Sequence, residues 1–138
     1  MSAAPVMAYA PSLIEKLFAL RQVQPFDRLS PEELALLAEV ARPRHYAPGE
    51  AIHPGEAPLA RLLVVVGGRA VDAAGAAVGP IVGLASLVNN LTAPRLLADP
   101  AVGVRLLDIS KRHFFTLARE CPEFVLGLIE LGEHGKAT

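Results

Sequence analysis

The sequence has little of several features that would assign a protein to a class. It contains one cysteine, Cys121, and no tryptophan among 138 residues. A single cysteine excludes a disulfide framework within the chain and favours a reducing compartment. The formal net charge of −1 gives no strong field to attract nucleic acid. Apolar runs such as Leu62–Val66 are too short to span a bilayer, and Met1–Ala10 lacks the basic start of a secretory signal. These absences predict a cytoplasmic protein without a membrane span.

Helical signals stand towards both ends of the sequence. Apolar residues recur at helical spacing after Ser12, and Ser30 with Glu33 forms a capping box around a proline at the first helical position. Ser110 is a favourable N-cap, and Pro122 opens the last helical stretch. The predicted helices cover residues 11–22, 31–42, 111–119 and 122–132.

The middle of the sequence is typical of short strands. Proline–glycine turns separate short apolar runs after His45, and Arg61–Gly67 reads as one continuous apolar strand. Gly67 and Gly68 predict a kink or bulge at its end. Short strands at close spacing, flanked by helices, predict an α+β fold: a β-roll or jelly roll with N-terminal and C-terminal helices.

One segment between these strands suits an anion. Gly83 stands at the start of a short predicted helix over Leu84–Asn89, and Arg95 precedes a later strand. Backbone N–H groups at a helix start favour negative charge, and an arginine adds charge-assisted hydrogen bonds. Ser86 is the one hydroxyl or acidic side chain predicted beside them. The segment therefore predicts an anion site that lacks part of its polar lining.

Five stretches, taken in order, resemble the cyclic nucleotide-binding domain family, whose bacterial prototype is the catabolite activator protein. The stretches are Pro25–Leu34, Arg44–Glu50, Leu62–Ala70, Val82–Leu87, and Val104–Ser110 with Phe114. The resemblance covers residues from about Val23 to Leu131. It implies an N-terminal helical extension over residues 1–24 and a domain of this family over residues 25–138. The resemblance implies that the C-terminal helices act as a lid, and no output domain is expected after them.

The family's phosphate-binding cassette is a Gly-Glu-x-Ala run followed by Arg-Ser/Thr-Ala. The resemblance therefore implies six candidate ligand-binding residues here: Gly83, Leu84, Ala85, Ser86, Arg95 and Leu96. Gly83 and Arg95 match, but Leu84 replaces the glutamate that takes the ribose hydroxyl, and Leu96 replaces the serine or threonine. An unpaired polar group in a closed pocket costs about 1–3 kcal/mol. The cassette is thus predicted to be degenerate, and cyclic AMP or cyclic GMP is an unfavourable ligand.

Each cassette residue also has a structural interpretation. In this interpretation, Gly83 does no more than start a helix, Arg95 is a solvated residue after a turn, and the leucines belong to the core. Two functions remain open at this point. The domain is either a regulatory module that acts through protein–protein interaction, or a sensor that binds a cyclic nucleotide or another anion and signals through the helices after Lys111.

Enzyme motifs are missing from the sequence. A metal enzyme of the cupin type needs a His-x-His pair, whereas His45 and His53 fall on separate predicted strands. No catalytic residue and no metal ligand is predicted. Apolar residues on more than one side of the last helix favour a homodimer or a partner protein there. No helix-turn-helix follows, so direct DNA binding is not expected.

Overall fold

The computed structural model describes residues 10–135. The predicted outer limits at residues 1 and 138, and all but the last residue of the Met1–Ala10 segment, lie outside the described residues. Five α-helices and one 3-10 turn are found in the described part: α1 Leu13–Arg21, the turn Phe26–Arg28, α2 Pro31–Val40, α3 Leu84–Asn89, α4 Lys111–Glu120 and α5 Pro122–Gly135.

Ten short strands lie between α2 and α4. They are β1 Arg42–Tyr46, β2 Ala51–His53, β3 Ala57–Pro58, β4 Arg61–Gly68, β5 Ala70–Asp72, β6 Ala77–Val78, β7 Ile81–Val82, β8 Thr92–Ala93, β9 Leu96–Ala98 and β10 Val104–Ser110. They form two four-stranded sheets, in the orders β1-β10-β4-β7 and β2-β9-β5-β6, and the separate pair β3-β8. All the pairings are antiparallel. The predicted α+β roll with helices at both ends is confirmed.

The predicted helix caps are present. The Ser30 hydroxyl accepts a hydrogen bond from the backbone N–H of Glu33, and the Glu33 carboxylate accepts one from the N–H of Ser30. Ser12 and Glu15 form the same box at α1, and Ser110 caps α4. These reciprocal bonds satisfy N–H groups that the first helical turn leaves unpaired.

Two boundaries differ from the predictions. Helix α2 ends at Val40 rather than at Pro43, because the backbone of Ala41 is already extended. Pro43 itself belongs to β1, where it pairs with Leu107 of β10. The bulge predicted at Gly67 and Gly68 lies one residue earlier. Residues 105 and 106 of β10 pair with residues 67 and 65 of β4, which leaves Val66 as the extra residue.

Two buried clusters hold the layers together. The first lies between the helices and one face of the β1-β10-β4-β7 sheet, and the second lies between the strands of the roll. Helix α1 belongs to the first cluster, because Leu20 is completely buried there. The Lys16 ammonium also donates to the carbonyl oxygens of Ala38 and Ala41, at 3.2 and 2.9 Å. The described part of the predicted N-terminal extension, residues 10–24, is therefore packed on the domain.

The last helix has one face packed on the core. Phe124 and Leu128 are buried, and the Phe124 ring lies 5.1 Å from that of Phe26. Val125 is half-buried and packs against the first cluster. Leu126 is 58% exposed, so α5 also presents apolar surface away from the core.

Candidate functional site

The cassette segment joins the two sheets of the roll. Strand β7 pairs with β4 in the first sheet, then come Gly83, helix α3 and strand β8, and β9 pairs with β2 and β5 in the second sheet. Gly83, Leu84, Ala85 and Ser86 are therefore contiguous at the start of α3. Arg95 lies in the connection between β8 and β9.

Gly83 has a backbone conformation that a larger residue resists. Its φ is +101°, and it is the N-cap of α3. A Cβ at this position would lie 2.5 Å from the carbonyl oxygen of Arg61 and 3.0 Å from Leu59 Cδ2. Both the left-handed conformation and the close approach of β4 require glycine. The structural interpretation of Gly83 thus has a physical basis of its own.

The hydroxyl of Ser86 is engaged by the backbone on both sides. It accepts a hydrogen bond from the buried N–H of Leu59 at 2.6 Å and donates one to the carbonyl oxygen of Leu91, also at 2.6 Å. A serine hydroxyl has only one hydrogen to donate. Ser86 therefore ties α3 to the segment before β4 and has no donor left for a ligand.

The two leucines of the cassette are core residues. Leu84 is 9% exposed and belongs to the cluster beneath the helices, together with Leu87 and Ile81. Leu96 is 4% exposed and belongs to the cluster inside the roll. Ala85 is exposed and carries no polar group. At the two positions that the predicted cassette assigns to a glutamate and to a serine or threonine, this chain therefore buries hydrocarbon.

Arg95 stands apart from these core residues. Its side chain is exposed, and it forms no hydrogen bond or ion pair with any residue from 10 to 135. Its backbone packs against the turn at Gly55, where a Cβ would lie 3.1 Å from Arg95 N. Arg95 belongs to the second sheet's connection, whereas Gly83 follows a strand of the first sheet. The structure assigns Arg95 no fixed partner.

Three cavities elsewhere are lined by described residues, and none of the three includes a cassette residue. One of about 550 Å³ is lined by His45, Arg69 and Arg105 with Gly68, Val102 and Val104. One of about 420 Å³ lies between α2 and α4. One of about 580 Å³ lies on α4 and α5. The sequence reasoning did not single out the first group, although Gly67, Gly68 and Arg69 occur together at the end of β4.

Cys121 and the histidines add no reactive centre. Cys121 lies between α4 and α5, and burial raises the pKa of its thiol, with Glu33 and Glu123 acting in the same direction. A raised pKa keeps the thiol protonated and unreactive. His45 and His53 lie on β1 and β2 as predicted. Within residues 10–135, no three His, Cys, Asp or Glu residues are grouped to hold a metal ion.

None of the helices in the described part is long and apolar enough to cross a membrane.

Comparison with known proteins gives matches in structure. No family model matches the chain, and no curated protein matches it. The regulatory subunit of a cAMP-independent protein kinase A from Trypanosoma brucei superposes with a TM-score of 0.72 at 17% identity, over 89% of this chain and 48% of that one. The Thermus thermophilus catabolite activator protein gives 0.62 at 23% identity, over 77% of this chain and 55% of that one.

A third match is of similar size to this chain. The N-terminal domain of a transcriptional regulator from Streptomyces coelicolor superposes with a TM-score of 0.59 at 25% identity, over 81% of this chain and 85% of that one. This chain spans about half the length of the kinase subunit and of the activator protein. These superpositions show that the chain has the fold of the cyclic nucleotide-binding domains.

Proposed function

We propose that this chain is a regulatory module of the cyclic nucleotide-binding type whose cassette does not hold a cyclic nucleotide in the family's manner. It acts by binding a partner protein, or a second copy of itself, through its C-terminal helices, and it is not an enzyme. The observation that carries this proposal is the burial of Leu84 and Leu96 at the positions where the family places its ribose and phosphate ligands.

The free energies favour the proposal. A ribose hydroxyl enclosed beside Leu84 would lose its hydrogen bond to water without gaining another, at a cost of about 1–3 kcal/mol. The missing hydroxyl at Leu96 adds a cost of the same order. Two such losses weaken binding by very roughly two orders of magnitude or more. Arg95 alone cannot offset them, because an exposed arginine gains little from an ion pair in water.

Ser86 supports the same conclusion. Its hydroxyl bridges Leu59 and Leu91, so an anion that accepted the one hydroxyl proton would leave the carbonyl oxygen of Leu91 without that hydrogen bond. The cassette segment is thereby used to hold α3 against the roll.

The partner surface is proposed on α4 and α5. Phe115 and Leu126 are large apolar side chains that are 40% and 58% exposed. With Ala118, Pro122 and Val125 they line the cavity of about 580 Å³. Contiguous exposed apolar side chains of this kind favour a protein contact. The same fold occurs in the regulatory subunit of a protein kinase A that is described as cAMP-independent.

A second candidate function rests on Arg95. Its guanidinium is exposed and has no described partner, so it is available to bind an anion. In this alternative, a nucleotide or another anion binds at Gly83–Ser86 and Arg95 and draws in the helices after Lys111. Such a switch requires a ligand with different affinities for the two positions of the helices.

Calorimetry separates the two candidates. Cyclic AMP, cyclic GMP and cyclic di-GMP are titrated into the wild-type chain and into Arg95→Ala. We expect no binding tighter than about 100 μM for any of the three nucleotides. Micromolar binding that Arg95→Ala abolishes would establish the sensor and overturn the degenerate-cassette proposal.

Light scattering tests the proposed partner surface, with a second copy of the chain as the partner examined. Leu126→Lys places a charge on α5, and Leu91→Lys is the matched control, because Leu91 is 53% exposed in the cassette connection. We expect wild type and Leu91→Lys to associate with rising concentration and Leu126→Lys to remain monomeric. Equal association of all three chains would exclude α5 as the self-contact.

A further inference from the structure

We infer that the α4–α5 surface around Phe115 and Leu126 docks into a second copy of this chain, in the groove between that copy's α2 and α4. The inference rests on the proposed function, because it takes the α4–α5 surface as one of the two contacting faces. The α2–α4 groove has a volume of about 420 Å³, and none of the described residues that line it belongs to the cassette.

The α2–α4 groove combines exposed hydrocarbon with negative charge. Of its apolar lining residues, Leu37 is buried, whereas Leu36 is 60% exposed. The carboxylates of Glu33, Glu39 and Glu120 line the same groove, and no lysine or arginine of the described part does. An exposed leucine among carboxylates suits a partner that carries both hydrocarbon and positive charge.

None of these three carboxylates forms an ion pair with a cation among residues 10–135. Glu33 accepts the backbone N–H of Ser30, and this bond holds the pKa of the Glu33 carboxyl below its ordinary value of 4.5. Glu39 and Glu120 are exposed to solvent. The charge of the groove is therefore left for a partner to neutralise.

Helix α4 separates the groove from the α4–α5 surface. Successive residues of an α-helix are rotated by about 100°. His113 and Glu120, which line the groove, therefore lie on one side of α4, and Phe115 and Arg119 lie on the opposite side. Phe114 points between them and is buried in the core. Two different copies can thus occupy the two sides at once.

The α4–α5 surface carries the opposite charge. Arg119 lines its hollow together with Phe115 and Leu126, and no aspartate or glutamate of the described residues lines it. Lys111 is exposed and lies one turn before Phe115 on the same side of α4. Lys111 and Arg119 form no ion pair within the described range. This surface joins hydrocarbon to positive charge, which complements the groove.

Docking one face into the other brings unlike charges together and covers hydrocarbon on both copies. Leu36 of the groove and Leu126 of the α4–α5 surface are both more than half exposed in the single chain. Removing such side chains from water supplies affinity, and the charges set the orientation. A contact between two α4–α5 surfaces would instead place the cations of both copies at one interface.

The resulting contact is heterologous, because each copy uses its α4–α5 surface on one side and its groove on the other. Contacts of this kind join copies head to tail, and they form a ring when the rotation closes or an open chain when it does not. The two faces can therefore be disabled separately, one in each of two variants.

Mixing such variants tests the head-to-tail contact by light scattering. Leu36→Lys places a cation in the groove, Leu126→Lys places one on the α4–α5 surface, and Leu91→Lys is the control at similar exposure. We expect Leu36→Lys and Leu126→Lys each to raise the dissociation constant of self-association about tenfold or more. Their equimolar mixture should associate again and stop at a dimer, because each pair retains one intact surface and one intact groove.

The charges are tested with a second pair of variants. Glu39→Gln removes a carboxylate from the groove, and Glu32→Gln removes an exposed one from the same helix outside the groove. We expect Glu39→Gln to weaken association about threefold and Glu32→Gln to leave it unchanged. Raising the salt concentration from about 0.05 to 0.5 M should weaken association of the wild-type chain.

The outcomes distinguish this inference from the function on which it rests. Association of Leu36→Lys equal to that of wild type, with Leu126→Lys monomeric, would exclude the groove and keep the α4–α5 surface as a self-contact. A mixture of the two variants that stays monomeric would also overturn the head-to-tail contact. A wild-type chain that stays monomeric would overturn it as well, and would leave a different protein as the partner of α4 and α5.

Circular dichroism checks that Leu36→Lys is folded. If it is not, Glu39→Gln and Glu32→Gln decide, since both side chains are exposed and each substitution keeps the shape of the side chain. Equal association of these two variants, or association of the wild type that does not fall with salt, would then overturn the contact.

Discussion

Two regions of this molecule carry arginines, and they differ in how their polar groups are held. In the cassette, Arg95 is exposed without a described partner, and Leu84 and Leu96 are buried in the two apolar clusters. In the cavity at the end of β4, Arg69 is fixed by Asp99, and Arg105 lies over Gly67. The cassette segment uses its one hydroxyl inside the fold, whereas the region at the end of β4 holds Arg69 on a buried carboxylate.

The difference between the two regions shows that an arginine binds a ligand better when its side chain is already held in place. An arginine that is held in place loses less rotational freedom when a ligand arrives, so more of the contact energy appears as affinity. At the cassette, the Ser86 hydroxyl already forms hydrogen bonds with the backbone of Leu59 and of Leu91. Gly83 is required by its left-handed backbone and by the close approach of β4. Both residues therefore serve the packing of this segment on the roll.

The largest effect is expected at Gly83. Gly83→Ala forces a side chain into a left-handed conformation and against the carbonyl oxygen of Arg61, so we expect a loss of more than about 3 kcal/mol in the free energy of unfolding. Gly75→Ala is the matched control, because Gly75 has φ +88° but nothing within 4 Å of an added Cβ. Its expected loss is about 1 kcal/mol. Urea denaturation measures the free energy of unfolding of both variants. Equal losses would show that the close approach of β4 is not what requires glycine at position 83.

A smaller effect is expected at Ser86. Ser86→Ala leaves the buried N–H of Leu59 without a partner, so we expect a loss of about 1–3 kcal/mol in the free energy of unfolding. Thr92→Ala, at an exposed hydroxyl on β8, should stay within about 0.5 kcal/mol. Urea unfolding at neutral pH is the measurement. A Ser86→Ala variant as stable as Thr92→Ala would mean that the hydroxyl is not a structural bridge, which would return it to the candidate ligand set.

The smallest effect concerns acid stability at the other region. The backbone N–H of Ala101, followed by that of Val102 and by Arg69, holds the pKa of Asp99 below its ordinary value of 3.8. A carboxyl with a lowered folded pKa stabilises the protein above its unfolded pKa, and this stabilisation is lost as the pH falls through the folded value. Asp99→Asn should therefore flatten the decline of the free energy of unfolding below about pH 4.

A second variant, Arg69→Gln, separates the contribution of Arg69 to this acid dependence from that of the backbone N–H groups. Arg69→Gln keeps the bonds from Ala101 and Val102, so it should flatten the acid decline only in part. Urea denaturation at steps between about pH 5 and pH 3 gives both slopes. An unchanged slope in Asp99→Asn would show that this carboxylate is not held by its neighbours, and Arg69 would then lose its anchor.

Much of the fold could be predicted from local sequence. Ser30 with Glu33 set a helix start, the short apolar runs set the strands, and the order of the five stretches indicated the roll. Each of these signals acts over a few residues, so it can be read without the tertiary structure. The end of α2 was missed because pairing with β10 takes Pro43 into a strand, and such long-range pairing leaves no local signal.

The site was predictable only in part. The sequence could show that Leu84 and Leu96 lack the family's polar groups, because that is a statement about residue types. It could not show that the Ser86 hydroxyl is taken by Leu59 and Leu91, since Leu59 is 27 residues away along the chain.

The sequence by itself therefore determined the elements, their order and the hydrocarbon character of the cassette, because propensity, capping and residue type are local properties. Only the tertiary structure decided which polar groups are already satisfied and which stand together. His45, Arg69 and Arg105 meet because antiparallel register and a loop-end carboxylate place them there, and both depend on strands that are distant in sequence. Contacts of that range are fixed by packing, which no short stretch of residues encodes alone.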